Sequence, residues 1–348
     1  MERLAELLQE HYDNHPDMEI RDAVKFIYQS HMGPGHLIQD ETLSLARLEE
    51  EWTRPDATSP IPLAEPIGNG LARLSLSACK GKGLSPATAN RLFVLTAGEV
   101  QPDRGGLERD LDLVCTLPFP KDSAERFVAE YRAMGCPMLS HSARYRDAYT
   151  PSYRIVSQHY VNLVPILSAI DRLMTDITPV RVAIDGPCAS GKSTLGEDLS
   201  RIYRCPLLHM DDFFLRPEQR TPERLAQPGG NVDYERFDLE ALSPLCRGEI
   251  LSYRPWQCRT GSFGSAVQVL PAPLTVVEGS YTLRPEFRDR YHLRIWVEAP
   301  WEVRLQRLAQ RGGPGCVARF REQWIPMEDR YFQSCNVKDC CHLFWIGC

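Results

Sequence analysis

No apolar run in the sequence approaches the ~18 residues needed to cross a bilayer, so no membrane span is expected. Basic residues are not in excess: 40 Lys and Arg stand against 46 Asp and Glu, a net charge of −6. That balance argues against general nucleic-acid binding and leaves room for a local phosphate site. The opening residues, MERLAELLQEHYDNH, are charged and helical in pattern rather than a basic patch followed by an apolar stretch. No export signal is expected, and the cytoplasm is the expected location. Repeats and low-complexity tracts are absent. So is any CxxC pair among the 12 cysteines, which read as free, mostly buried thiols. Cys335, Cys340, Cys341 and Cys348 with His342 have the composition of a zinc site, but without a CxxC, and with adjacent Cys340 and Cys341 on opposite faces if extended, that reading is weak.

At 348 residues and roughly 150 residues per domain, two domains are expected. Residues 1–176 read as mainly α-helical. Apolar positions recur at helical spacing over 2–12 and 18–30, Asp40 caps a helix ending near Trp52, and Ser85-Pro86 starts another. TRPDATSPIPLAEPIGNG, residues 53–70, reads as loop. Asp122 and Glu125 have capping-box spacing, and a last helix runs from about Val156 to Thr175 with Pro165 as a kink point. From 177 to 348 short apolar strands (VRVAID, PLLHM, LTVVEG, LRIWVEA) alternate with helical stretches. This predicts an α/β domain, a parallel sheet with helices on both faces.

The α/β half carries the chemistry. Gly186 and Gly191-Lys192-Ser193 fit GxxxxGK[ST] between a strand and a helix, the context of a phosphate-binding P-loop, or Walker A motif. Gly186, Ala189, Ser190 and Gly191 let backbone N–H groups face a phosphate, and the helix start adds its positive dipole end. Lys192 supplies charge to the β- and γ-phosphates, Ser193 a hydroxyl to Mg, and Thr194 a further phosphate contact. LHMDDFFL delivers Asp211 and Asp212 at the end of a strand, where a carboxylate can take a hydroxyl proton or hold magnesium through water. LTVVEG ends in Glu278, a Walker B-like acid. WEVRLQRLAQR puts Arg304, Arg307 and Arg311 on one helix face, suited to closing over a triphosphate.

In this order GPCASGKST, HMDDFF, VVEG and the arginine helix resemble the uridine kinase group of P-loop kinases, which also includes phosphoribulokinase and a bacterial pantothenate kinase. The resemblance covers residues 180 to about 348. It implies transfer of the ATP γ-phosphoryl group to a hydroxyl of a small molecule, with ATP and Mg, Asp211 as base, Glu278 supporting metal or acceptor, and the three arginines as lid. The acceptor side departs from the pattern. GGNVDYERF, with Tyr234 and Arg236, lacks the group's histidine, and in LSYRPWQCRTGSF Gln257 stands where an acid is expected. Tyr253, Arg254 and Trp256 there could stack on a base or grip a phosphate. A nucleoside is the first expectation for the acceptor. Another small alcohol (a sugar, a pantothenate-like alcohol or a coenzyme precursor) and a nucleotide-dependent switch stay open, as does a homo-oligomer.

In the first half, His31 and His36 flank a Gly-Pro-Gly turn, and His141, Arg146 and Arg154 sit in a tyrosine-rich stretch. Together these could form a second anion or metal site; tyrosines packing between helices is the alternative. This half looks similar to an uncharacterised segment fused to some bacterial uridine kinase-like proteins, a resemblance that brings no activity with it. A second enzyme domain and a regulatory or dimerising module both remain open.

Overall fold

The computed structural model describes residues 2–38, 40–53 and 62–347, except the side chains of Glu2, His36, Pro314 and Cys316. The chain divides into two compact units, Met1–Arg172 and Leu173–Cys348. No helix among the described residues is long and apolar enough to cross a membrane.

The first unit is mainly helical, and local signals set its helices. Asp40 accepts the Leu43 amide at the start of Glu41–Trp52, and Ser85 accepts that of Thr88 at the start of Pro86–Glu99. Three departures from expectation have local causes. Part of the stretch expected to be loop is β1 (Ala64–Gly68), which turns through Asn69-Gly70 into β2 (Leu71–Ser75). Gly68, Asn69 and Gly70 all take positive φ, so a run with the composition of a breaker is a hairpin turn; residues 54–61 of that stretch lie outside the described residues. Next, β3 (Tyr153–Ser157) takes the start of the helix expected from Val156 and pairs antiparallel with β2, and the helix Gln158–Asp176 begins after it and continues through Pro165. Pro120 precedes the helix Lys121–Ala133 at the cap position, which leaves Asp122 inside its first turn and the Asp122–Glu125 capping box unformed.

The second unit is built on five parallel strands: β4 (Val180–Asp185), β5 (Leu207–His209), β10 (Leu274–Glu278), β11 (Leu293–Glu298) and β12 (Leu343–Ile346). Their spatial order is β12-β11-β4-β10-β5. Between β5 and β10 lie two nested antiparallel pairs, β6 (Leu251–Tyr253) with β9 (Val267–Val269) and β7 (Trp256–Gln257) with β8 (Ser262–Phe263). The first strand in sequence, β4, is central, with β10 and β11 on opposite sides. Successive crossovers therefore leave in opposite directions and open a crevice at its carboxyl end, the place where open α/β sheets bind ligands. β12 goes beyond the expected strands, because HLFWI is short and stands among cysteines that suggest a metal site instead. There the Cys340 and Cys341 thiols both bond the Val337 carbonyl and His342 faces Arg294, so these three candidate zinc ligands have other partners; Cys348 lies outside the described residues. Of the ten described cysteines, all free, only Cys79 and Cys205 are fully buried.

A buried charge organises the first unit. Arg73, on the central strand β2, is 3% exposed. Its guanidinium donates to Gln29 Oε1 (2.9 and 2.8 Å), Glu65 Oε2 (3.1 Å) and His11 Nε2 (3.2 Å) and lies over the Phe26 and Tyr153 rings. Donation to Nε2 leaves the His11 proton on Nδ1, directed at Glu65 Oε1 2.5 Å away. Gln29 donates in turn to the Tyr153 hydroxyl, which meets His141 Nε2 at 2.7 Å, and His141 Nδ1 meets Asp22 Oδ1 at 2.9 Å. Burial, then Arg73, holds His11 down to about 4, and burial takes His141 to about 4. Burial pushes Asp22 and Glu65 upward, but hydrogen bonds from His141 and Ser142 on the former, and Arg73 and His11 beside the latter, bring each to about 2.

Ordinary histidines take up a proton near 6.5 and carboxylates near 4. The unfolded chain therefore binds more protons than the folded unit between about pH 2 and 6.5, and the network's contribution, complete above that window, is lost as pH falls through it. Thermal unfolding followed at pH 7.5, 6 and 4.5 is expected to show a steadily falling midpoint. Asp22→Ala, which leaves the His141 ring N–H and the Ser142 amide and hydroxyl without their acceptor, should cost about 2–4 kcal/mol at neutral pH in denaturant unfolding.

Candidate functional site

The P-loop leaves β4 at Asp185. Gly186 has φ 143°, and a Cβ there would stand 2.0 Å from the Val297 carbonyl oxygen of β11, so no other residue fits. Fully buried Asp185 accepts the Gly186 and Leu283 amides and the Tyr331 hydroxyl. Burial pushes its carboxyl up to about 6. Gly191, with φ 108°, turns the chain into the helix Lys192–Tyr203, whose first-turn N–H groups have no intrahelical partner.

Cations face the carbonyls of the loop. Lys192 Nζ donates to the Gly186 and Pro187 oxygens (2.8 and 2.9 Å), Arg304 Nε to that of Cys188 (2.9 Å) and Arg307 to that of Ala189 (3.0 Å). These cations satisfy the loop's acceptors, while the Gly186, Cys188 and Ser190 amides donate to Asp185, Glu328 and the Pro187 carbonyl. The Ser190 hydroxyl is buried without a partner among the described residues. Arg304 and Arg307 thus brace the loop rather than hang over it, while Arg311 is exposed on the same helix.

Three carboxylates converge on this loop. Glu278, 5% exposed at the end of β10, accepts the Ser193 hydroxyl at 3.2 Å and meets His209 Nδ1 at 2.6 Å. His209 and Glu278 are register partners on β5 and β10, which accounts for the pair, and Glu278 holds the imidazole above its ordinary value. Asp211 follows β5 in a short 3-10 turn, part of its surface exposed while neighbouring protein crowds its carboxyl. The protein packed around it, then Glu278, pushes its carboxyl up to about 6, with Lys192 acting in the opposite sense. Glu328, on the helix Ile325–Ser334, accepts the Cys188 amide at 2.9 Å and lies 2.8 Å from the Ser280 hydroxyl. His209, Ser280 and Glu328 are not among the residues that sequence motifs single out. The place of His209 directly before the two aspartates is a signal that could have found it, whereas no local signal marks Glu328.

The expected acceptor residues divide. Asp212 accepts the Tyr253 hydroxyl at 3.1 Å. Arg236 donates to the Asp212 and Arg254 carbonyls and lies over Phe213 (4.4 Å) and Phe263 (5.4 Å). Trp256 packs edge-on against Phe263, its indole N–H buried without a partner among the described residues. These side chains pack as an aromatic cluster, Phe213, Tyr253 and Trp256 buried, with one guanidinium beside Asp212. Arg254, exposed, bonds the Phe263 and Gly264 carbonyls. Tyr234 is held between the Arg224 and Arg284 guanidiniums, 3.8 and 3.7 Å from its ring.

In the first unit the suggested second site is dispersed. His141 belongs to the Arg73 network, and Arg146 donates to its carbonyl. His31 pairs with Asp110 at 2.9 Å, and Arg154 makes a two-pronged ion pair with Glu51. The His36 side chain lies outside the described residues. His11, His15 and Glu65 are spaced for a metal ion, their ligand atoms within 4.8 Å of one another. However, both His11 nitrogens are already engaged, and the Arg73 cation stands beside them.

No family model matches the chain. A 111-residue segment, 30% of the chain, is 32% identical to a cytidylate kinase of Azorhizobium caulinodans, and the match spans half the length of that protein. Among solved structures, a possible uridine kinase from Bacillus stearothermophilus aligns with 52% of the chain and 98% of its own length at 18% identity and TM-score 0.39. A protein from Silicibacter sp. TM1040, named for a fructose transport system kinase, aligns with 51% of the chain and 95% of its own length at 22% identity and TM-score 0.42.

Proposed function

We propose that the second unit is an ATP- and Mg-dependent phosphotransferase that moves the γ-phosphoryl group to a hydroxyl of a small molecule, a nucleoside being the first candidate. The observation that carries this reading is the convergence of Lys192, Ser193 and Glu278, with Asp211 beside them, at the carboxyl ends of β4, β5 and β10. The loop fits a phosphate, since its carbonyls face cations and the buried Ser190 hydroxyl has no partner among the described residues. Ser193 and Glu278 would hold Mg, which when bound neutralises charge on the phosphates. Lys192 would exchange its loop carbonyls for phosphate oxygens. Asp211, facing the crevice, would take the acceptor proton, and a carboxyl pushed up to about 6 is basic enough for that role near neutral pH. Phe213, Tyr253 and Trp256 are buried in packing, so of these four rings only Phe263 keeps exposed surface, and a nucleoside stays the first candidate on the P-loop motifs rather than on ring stacking. The cytidylate kinase likeness supports nucleotide-level chemistry for the matched segment. The lid role expected of Arg304, Arg307 and Arg311 becomes a brace for the first two, with Arg311 left to reach a nucleotide.

Acceptor-dependent ADP formation with a metabolite panel, followed by identification of the phosphorylated product, tests the reading. ATP turnover insensitive to every acceptor but stimulated by a protein partner would overturn it. Asp211→Asn is expected to leave Mg-nucleotide affinity within about threefold while lowering transfer about 10²- to 10⁴-fold, whereas Lys192→Ala should weaken both. Because the base must be ionised, kcat/KM should fall with decreasing pH through an apparent pKa near 6, and that limb should vanish in Asp211→Asn.

A further inference from the structure

We infer that Glu328 is a positioning residue for a phosphate bound in the P-loop: with Arg304 it grips both backbone groups of Cys188 and sets the tip of the loop. The inference rests on the P-loop binding a nucleotide, as proposed above.

Cys188 offers one N–H and one carbonyl, and each is taken by a charged side chain. Glu328 Oε2 accepts the N–H at 2.9 Å, and Arg304 Nε donates to the carbonyl at 2.9 Å. The two side chains stand 3.9 Å apart and are almost fully buried. They belong to helices Trp301–Arg319 and Ile325–Ser334, the first of which is interrupted at Gly313 by a non-helical conformation. The segment from 305 to 327 is thus tied at both ends to one P-loop residue. A third tie comes from the same face of the second helix, where Tyr331, three residues after Glu328, donates to Asp185. The Ser280 hydroxyl lies between Glu328 Oε1 (2.8 Å) and the Gly186 carbonyl (3.0 Å). Asp185, Gly186 and Cys188 are therefore all fixed from outside the loop.

Glu328 also puts a carboxylate directly against the loop, at the Cys188 amide. A carboxylate at that place repels a triphosphate in the ground state. Its removal should therefore tighten nucleotide binding while the loop tip loses its register, and this pairing of effects separates positioning from mere support of the fold.

The test is steady-state kinetics with the identified acceptor, together with fluorescent Mg-nucleotide binding in its absence, on Glu328→Gln, Glu328→Asp, Arg304→Lys and the Glu328→Gln/Arg304→Lys double variant. Glu328→Gln is expected to lower kcat about 30-fold and to lower KM for ATP about three- to tenfold, with an unfolding midpoint close to wild type. Glu328→Asp should restore part of kcat. Because both partners act through Cys188, the double variant should lose no more than the worse single one. Unchanged kcat, a rise in KM at constant kcat, or additive losses in the double variant would each overturn the clamp. Should Glu328→Gln fail to fold, Arg304→Lys and Glu328→Asp decide the matter, since their triphosphate-to-diphosphate affinity ratios must then differ from wild type. If wild type binds Mg-ATP but phosphorylates no acceptor, the phosphotransferase reading fails, while the same affinity ratio still decides the clamp.

Discussion

The second unit depends on the closeness of Gly186 to β11. The loop leaves the sheet with its first residue pressed against the Val297 carbonyl, where a Cβ would stand 2.0 Å away. That contact fixes the starting direction of the loop. Asp185, immediately before it, is buried among two amides and a tyrosine hydroxyl, which makes the departure point rigid. With start and direction set, the remaining carbonyls fall against Lys192, Arg304 and Arg307. A phosphate bound as proposed would thus owe its place to sheet packing before side-chain chemistry.

Around the loop, negative and positive groups are interleaved. Glu278 lies between Ser193 and His209, Glu328 between the Cys188 amide and Arg304, and Asp211 within the influence of both acids and of Lys192. Glu278 and Glu328 have direct partners, whereas Asp211 has none among the described residues, and crowding by the surrounding protein, then Glu278, raises its carboxyl. A polyanionic ligand with its metal would enter a site whose charges are already paired, and would exchange partners rather than meet bare ones.

What is legible in the sequence follows the range over which the signal acts. The P-loop, the two aspartates and Glu278 are contiguous motifs at strand ends, and periodicity alone places those strands. Glu328 lies 140 residues from the amide it holds, and its segment looks like any amphipathic helix. Arg304 and Arg307 are visible as a face, but a periodicity cannot say whether guanidiniums meet a ligand or loop carbonyls. In the first unit Arg73 sits in a short apolar strand where an arginine reads as a surface residue, so the charge that gathers His11, Glu65, Gln29 and Tyr153 leaves no local trace. The hairpin at Gly68-Asn69-Gly70 is hidden in a run of proline and glycine that looks like loop.

The Arg73 network has a property that belongs to all its links at once. Donors and acceptors alternate from Arg73 through Gln29 and Tyr153 to His141 and Asp22, and through His11 to Glu65, so each tautomer is dictated by its neighbour. A chain of this kind has a polarity, and no member can be reversed alone. Replacing a single member leaves buried polar partners unsatisfied, whereas exchanging the whole set for apolar side chains of similar volume removes the penalty along with the network. The network is therefore exchanged at less cost as a set than one member at a time.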